Sequence, residues 1–201
     1  MPADHLTTRF YEKEAAEYAA VPPHGTFLDY RIRFVSLLPG CAHILDLGCG
    51  GGHDSRAFRD AGFEVTALDA SAAMAALASA RIGRNVIVRS FQELDFIKQF
   101  DAAWASASLL HVPFDELLDV LIRVRRSLRT DGLLCASFKE AEKDWRDQRG
   151  RLFCAMTAAL LHECLAQAGF EVDIIDRHKG RGSDAMPTTW LWTFCRSSGK
   201  P

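Results

Sequence analysis

Short runs rich in β-branched and aromatic residues recur through the middle of the chain, each followed by a stretch with helical spacing of its apolar positions. The first run, 43–47, gives way at Gly48–Gly52 to a helix beginning near Asp54. A second, 64–68, leads through Asp69-Ala70-Ser71 into an alanine-rich helix ending about Arg81. Further runs lie at 86–89 and 100–105, and the latter precedes a helix over 113–128 stopped by Thr130-Asp131-Gly132. The fifth run is 133–138. Strands separated by helices in this rhythm imply βαβ crossovers and an α/β, doubly wound, mostly parallel sheet.

The rhythm changes at both ends. Residues 7–20 hold no Gly or Pro and are predicted helical until Val21-Pro22-Pro23-His24-Gly25, and a second helical run over 26–38 stops at Pro39-Gly40. After a predicted helix over 155–168, stopped by Gly169, come strands at 170–175 and 188–195. The Gly/Arg-rich turn 177–187 between them has no room for a helix. Strands joined without a crossover must pair antiparallel, so the seven-stranded sheet is expected to end on an antiparallel strand. No second domain boundary is visible. The expected organisation is one domain, 1–201, with residues 1–40 as a helical cap on a core of residues 41–201.

Composition narrows the function classes. With 201 residues, 48% hydrophobic and 25% charged, the chain can bury a core without staples, which excludes disordered and disulfide-scaffold classes. The 24 basic and 26 acidic residues leave a net charge of -2, which argues against a dedicated nucleic-acid binder. The six cysteines form no C-x-x-C pair, and no metal site is expected. The N-terminus has no apolar signal run, so a reducing cytoplasm is the expected location. No segment approaches the roughly 20 apolar residues of a membrane helix. Oligomeric state is not readable.

The candidate chemistry starts at Asp46-Leu47-Gly48-Cys49-Gly50-Gly51-Gly52, between a predicted strand and helix. Glycines there allow a tight turn and close approach of backbone to a ligand. A P-loop would end in Gly-Lys-Ser/Thr, but Gly52 precedes His53-Asp54, and a dinucleotide fingerprint from Gly48 would need glycine where His53 stands. What remains is an acid at the strand end, a G-x-G-x-G turn, and a second acid, Asp69, beyond the next strand. An acid in that second place can accept hydrogen bonds from ribose hydroxyls. The pattern suits an adenosine-like ligand not held by a pyrophosphate.

Together with these residues, VTALDAS (65–71), SFQELDF (90–96), FDAAWASASLLHVP (100–113), RSLRTDGLLCASF (126–138) and AGFEVDIID (168–176) occur in an order and spacing that resembles the class I S-adenosylmethionine-dependent methyltransferases, particularly small single-domain bacterial ones. The resemblance runs from about Thr8 to Cys195 and implies a Rossmann-like fold. It also implies site roles. Gly48, Cys49, Gly50 and Gly52 would form the floor under the methionine and ribose parts, with Asp46 facing the amino group and Asp69 the ribose. Ala70 and Met74 would flank the adenine, Phe91 and Gln92 would lie at its edge, and Ala105 would line the cofactor near the sulfonium.

Tyr11 and Tyr18, seven residues apart, project from one helix face and would bind the methionine carboxylate from a lid, as related methyltransferases suggest. His111, after the fourth strand, is the candidate general base at the ligand edge. Lys139 and Arg151 bound a polar stretch expected to border the acceptor pocket. Arg123, Arg125, Arg126 and Arg129 read as a solvated helix face. The expected activity is methyl transfer from S-adenosylmethionine, leaving S-adenosylhomocysteine, to a small-molecule acceptor. Alternatives are a subunit acting on RNA or protein, or a non-catalytic nucleoside binder.

Overall fold

Asp4 starts the first helix by accepting the Thr7 N–H at 2.9 Å, and α1 (His5–Lys13) and α2 (Ala15–Ala20) follow in place of the single predicted helix. Glu14, with φ -100° and ψ 14°, separates them, although nothing in its side chain forbids a helix. The break turns α2 across the first glycine loop. The structure is a computed structural model and describes residues 3–23, 25–183 and 186–198. His24 in the predicted first break and residues 184–185 in the predicted last turn lie outside the described residues.

The chain continues through α3 (Thr26–Ser36), β1 (His43–Leu47), α4 (His53–Asp60), β2 (Glu64–Asp69), α5 (Ala72–Ile82), β3 (Ile87–Val88), β4 (Phe100–Ala105), α6 (Phe114–Ser127) and β5 (Leu128–Lys139). It ends with a small hairpin of β6 (Trp145–Arg146) and β7 (Leu152–Phe153), then α7 (Ala158–Gln167), β8 (Phe170–Arg181) and β9 (Pro187–Ser197). The seven-stranded sheet has the order β3-β2-β1-β4-β5-β9-β8. All pairs from β3 to β5 are parallel, and β9 is antiparallel to both its neighbours. The last strand is therefore reversed, as its helix-free connection requires.

Two boundaries differ from expectation. Strand β8 continues to Arg181, pairing through Arg181 and Pro187, so much of the predicted turn is hairpin. Strand β5 begins at Leu128, before the predicted stop, and carries Asp131 at φ 60°. The hairpin β6–β7 was not expected within the polar stretch. Its Trp145 and Phe153 rings stack with centroids 4.3 Å apart, an apolar reason for order that charge counting hides.

The centre of the sheet is a continuous apolar core in which Ile44, Leu45, Ala103 and Leu134 are fully buried. On one face α3 packs Phe34 against Trp104 and Phe58, and Tyr30 stacks on Trp192 at 4.3 Å. Trp190 and Trp192 are core residues, 4% and 0% exposed. Gly52, at φ +77°, closes α4 onto α5, where an added Cβ would meet the Ala78 Cβ at 2.9 Å. A left-handed non-glycine residue costs about 1–3 kcal/mol even without that contact. Gly52→Ala is expected to lower stability by at least about 1 kcal/mol, read as a fall in the urea unfolding midpoint.

Candidate functional site

Strands β1 and β4 are neighbours, but the chain leaves them toward β2 and β5 on opposite sides, which opens a crevice at their carboxyl ends. A cavity of about 660 Å³ occupies that edge. Its size lies within the range of small-molecule sites. One half is walled by the glycine loop and the ends of β1 and β2, and the other by α1, the end of β5 and the β6–β7 hairpin.

In the first half, Asp46 is 2% exposed and accepts the Ser55 hydroxyl proton. Burial, followed by the neighbouring Asp54 carboxylate, pushes its carboxyl up to about 8. Asp69 accepts N–H bonds from Gly50 and Ser71, both at 2.9 Å, and burial raises its pKa also. It thus shapes the loop and supports the turn into α5 while still facing the cavity. Gly48, at φ +69°, passes so close to the β4 loop that a Cβ would lie 2.7 Å from the Ser108 Cβ. Gly48, Cys49, Gly50 and Ala70 line this half, as do Phe91 and Gln92.

Three predicted cofactor residues lie elsewhere. Met74 is 0% exposed and packs with Ala15 and Ala19 under the cap, because its position on α5 faces the helix pair instead of the loop. Ala105 is buried in the sheet, and Ser106, Ala107 and Ser108 line the cavity in its stead. Gly52 packs on α5, and Gly51 lines the cavity one residue earlier. Ala107 adopts φ 50° with its N–H donated to Ser137 Oγ at 2.8 Å, a left-handed alanine that no sequence signal announces.

The cap and the hairpin meet over the second half. Arg146 pairs with Asp4 at 2.6 Å, Leu152 N–H donates to Thr7 Oγ1 at 2.9 Å, and Arg151 lies over the Phe10 ring at 4.8 Å. Glu12 reaches from α1 to accept the Ser71 hydroxyl and the Ala72 and Ala73 N–H groups at the start of α5. At the other end of the cap, the Ala19 carbonyl accepts from His53 and Arg81. These latches were not legible, since each partner is remote in sequence.

Tyr11 and His111 are brought together at 2.9 Å. The Leu152 carbonyl can only accept, so His111 Nδ1 donates to it and Nε2 receives the Tyr11 hydroxyl proton. Both ring nitrogens are therefore engaged. Burial, reinforced by Arg151 and Lys139, pulls the His111 pKa down to about 4, and burial raises that of Tyr11. The rings of Tyr11 and Tyr18 meet edge to face at 5.1 Å. Lys139 is 5% exposed among the rings of Trp145, Phe153 and Trp190, and Arg151 is 1% exposed, held by Asp147 and Ser183.

The first half has the features of a nucleoside site. Gln92 Oε1 and Ser108 Oγ are buried beside it without a hydrogen-bond partner, and such atoms ask for a polar ligand. Gln92 Nε2 is fixed by Glu116 at 2.8 Å, which directs Oε1 elsewhere. A carboxyl kept neutral by burial, as Asp46 is, gains from an arriving cation. These residues fit S-adenosylmethionine, whose ammonium, ribose and adenine need an acid, an acid and an amide in this order. Among the described residues no group of three or more His, Cys, Asp or Glu side chains is placed to hold a metal ion, and no helix is long and apolar enough to cross a membrane.

Comparison with known proteins agrees with that class. Residues 44–132 match the methyltransferase domain family. Over 147 residues the chain is 30% identical to an uncharacterized methyltransferase of Staphylococcus carnosus (strain TM300), covering 68% of this chain and 70% of that one. It is 36% identical over 113 residues to the malonyl-[acyl-carrier protein] O-methyltransferase of Enterobacter lignolyticus (strain SCF1), covering 52% and 44%. The chain spans about half the length of the malonyl-[acyl-carrier protein] O-methyltransferases it matches. The fold also matches the 1,6-didemethyltoxoflavin-N1-methyltransferase of Burkholderia thailandensis, with a TM-score of 0.76, 23% identity, and coverage of 96% of this chain and 88% of that one. The chain belongs to the class I S-adenosylmethionine-dependent methyltransferases.

The raised pKa of Asp46 has a cost in stability. Because the folded value, about 8, lies above the usual 3.8, stability is fully present below the lower value and is lost as pH rises through the upper one. Asp46→Asn, which removes this ionisation, is expected to be more stable than the parent chain at pH 9 by about 0.5–2 kcal/mol, with the gap closing toward pH 5. Thermal melts across that range check it.

Proposed function

We propose that this chain transfers a methyl group from S-adenosylmethionine to a small-molecule acceptor. The observation that supports this most directly is the pair of acids ending adjacent strands around the glycine loop, in a cavity beside two unpartnered polar atoms. Bound S-adenosylmethionine supplies a methyl group already activated by its sulfonium charge. The protein's part is then alignment and exclusion of water.

In this reading the ionised Asp46 receives the ammonium and Asp69 the ribose hydroxyls. Gln92 Oε1 accepts from the adenine amino group beside Phe91, and Gly48, Cys49 and Gly50 form the floor. Tyr11 and Tyr18 close the cavity from the cap. Tyr11 already donates its proton to His111, so a contact to the methionine carboxylate would require that bond to break. The acceptor enters the half under the hairpin, and a cavity of about 660 Å³ in all suits a small molecule better than a polymer. The near-neutral chain and its six unpaired cysteines favour a reducing cytoplasm and a non-nucleic-acid acceptor.

Calorimetry with S-adenosylmethionine, S-adenosylhomocysteine and NAD tests the reading. The first two are expected to bind and NAD is not; NAD binding without the others would overturn it. Binding converts neutral Asp46 to its carboxylate, so protons are released below pH 8 and affinity should rise from pH 6 to pH 8 by up to roughly tenfold per unit. In Asp46→Asn both the proton release and most of the affinity should disappear.

A further inference from the structure

The buried charges in the half of the cavity under the hairpin already have partners. Asp147 pairs with Arg151 at 2.7 Å and Ser183 accepts from the same guanidinium, while Arg146 holds Asp4. Lys139 is likewise engaged, and its Nζ lies 4.2 Å from the Phe153 ring centre. Arg149 and Glu17, which also line the cavity, are exposed. A charged guest entering this half would give up its water without gaining a buried counter-ion of its own. What the half offers instead is rings.

Tyr11 from α1, Tyr18 from α2, Phe27 from α3 and Trp190 from β9 all line the cavity. They form two edge-to-face pairs, Tyr11 with Tyr18 and Phe27 with Trp190, each with centroids 5.1 Å apart and planes at 87° and 83°. In such a pair the ring that points its edge keeps both of its own faces for another partner. Tyr11, Tyr18 and Phe27 are accordingly only half-buried. The Tyr11 hydroxyl donates to His111 and the Trp190 N–H to the Arg181 carbonyl at 3.3 Å, so these two side chains meet a guest through their rings and not their polar tips. Phe10 and Phe153 differ, being covered by Arg151 and by Trp145.

We infer that the acceptor is an uncharged, planar aromatic compound, received by the Tyr11–Tyr18 and Phe27–Trp190 ring pairs. This deepens the function proposed above and rests on it. A flat aromatic guest continues the packing that the two pairs begin, whereas a saturated ring of the same size fills the volume without the ring-to-ring attraction. The two pairs belong to four elements, three helices of the N-terminal part and the last strand, so the guest would be held where the cap meets the sheet.

The test is calorimetry with two sets of probes, with and without S-adenosylhomocysteine: 2-naphthol, decahydro-2-naphthol and 2-naphthoate, and p-cresol, 4-methylcyclohexanol and p-toluate. In each set the aromatic alcohol is expected to bind about tenfold tighter than the saturated alcohol, and tighter than the carboxylate by a similar factor. Phe27→Leu keeps the apolar bulk and removes one ring. In that variant the preference for the aromatic over the saturated alcohol should fall by about threefold or more while S-adenosylhomocysteine affinity stays within about twofold, which separates a lost contact from a lost fold. Saturated alcohols or carboxylates binding as well as the aromatic alcohols, or no binding by either aromatic alcohol, overturns the assignment. Aromatic preference without any S-adenosylhomocysteine binding would sustain the ring-lined site and defeat the methyl-transfer reading instead.

Discussion

The constraint on which the rest of this structure depends is the reversal of strand order between the parallel neighbours β1 and β4. Parallel strands that are neighbours in space but not in sequence send their crossover helices to opposite faces, and neither helix can cover the gap at their carboxyl ends. The chain must close that gap with material from outside the sheet or leave it to solvent. Here it uses two segments, the N-terminal helices and the β6–β7 hairpin, and they meet each other over the opening through Asp4–Arg146 and Thr7–Leu152. The cavity is what these covers leave unfilled.

The two ends of that cavity take their ionisable residues from different elements. The β1 and β2 termini contribute Asp46 and Asp69, both with raised pKa values, while β5 and the hairpin contribute Lys139 and Arg151. The division follows from which strand ends where. On the hairpin side Asp147 pairs with Arg151 and Asp4 with Arg146, and Tyr11 and His111 meet between the two ends.

How much of this could be read from the sequence depended on how local each determinant is. The glycine loop, its two acids and the alternation of strands and helices are set by residues within a few positions of one another, and they were legible. Met74, Ala105 and Gly52 lie within three positions of lining residues, but helix phase, strand alternation and the close packing of the loop on α5, respectively, turn them into the core. Tyr11 and His111 were each singled out, for different tasks, yet their hydrogen bond spans 100 residues and no pattern encodes it. Likewise the polar stretch from Lys139 read as a loop, because the stacked Trp145 and Phe153 that order it are diluted by charge.

The energetic character of the contacts differs between the floor of the cavity and its cover. The floor is buried sheet and close backbone packing, where any change leaves a void, a clash or an unpaired polar group. The cover is held by two kinds of contact: buried ones, Thr7 with Leu152 and Tyr11 with His111, and ones that water can replace, the partly exposed Asp4–Arg146 pair, Glu12 at the start of α5 and Arg81 at the side. Exposed ion pairs of this kind contribute about 0–1 kcal/mol each. The buried bonds therefore carry most of the hold of the cover. The difference between floor and cover arises because the covering segments lie outside the sheet, so that part of what holds them is met at the surface.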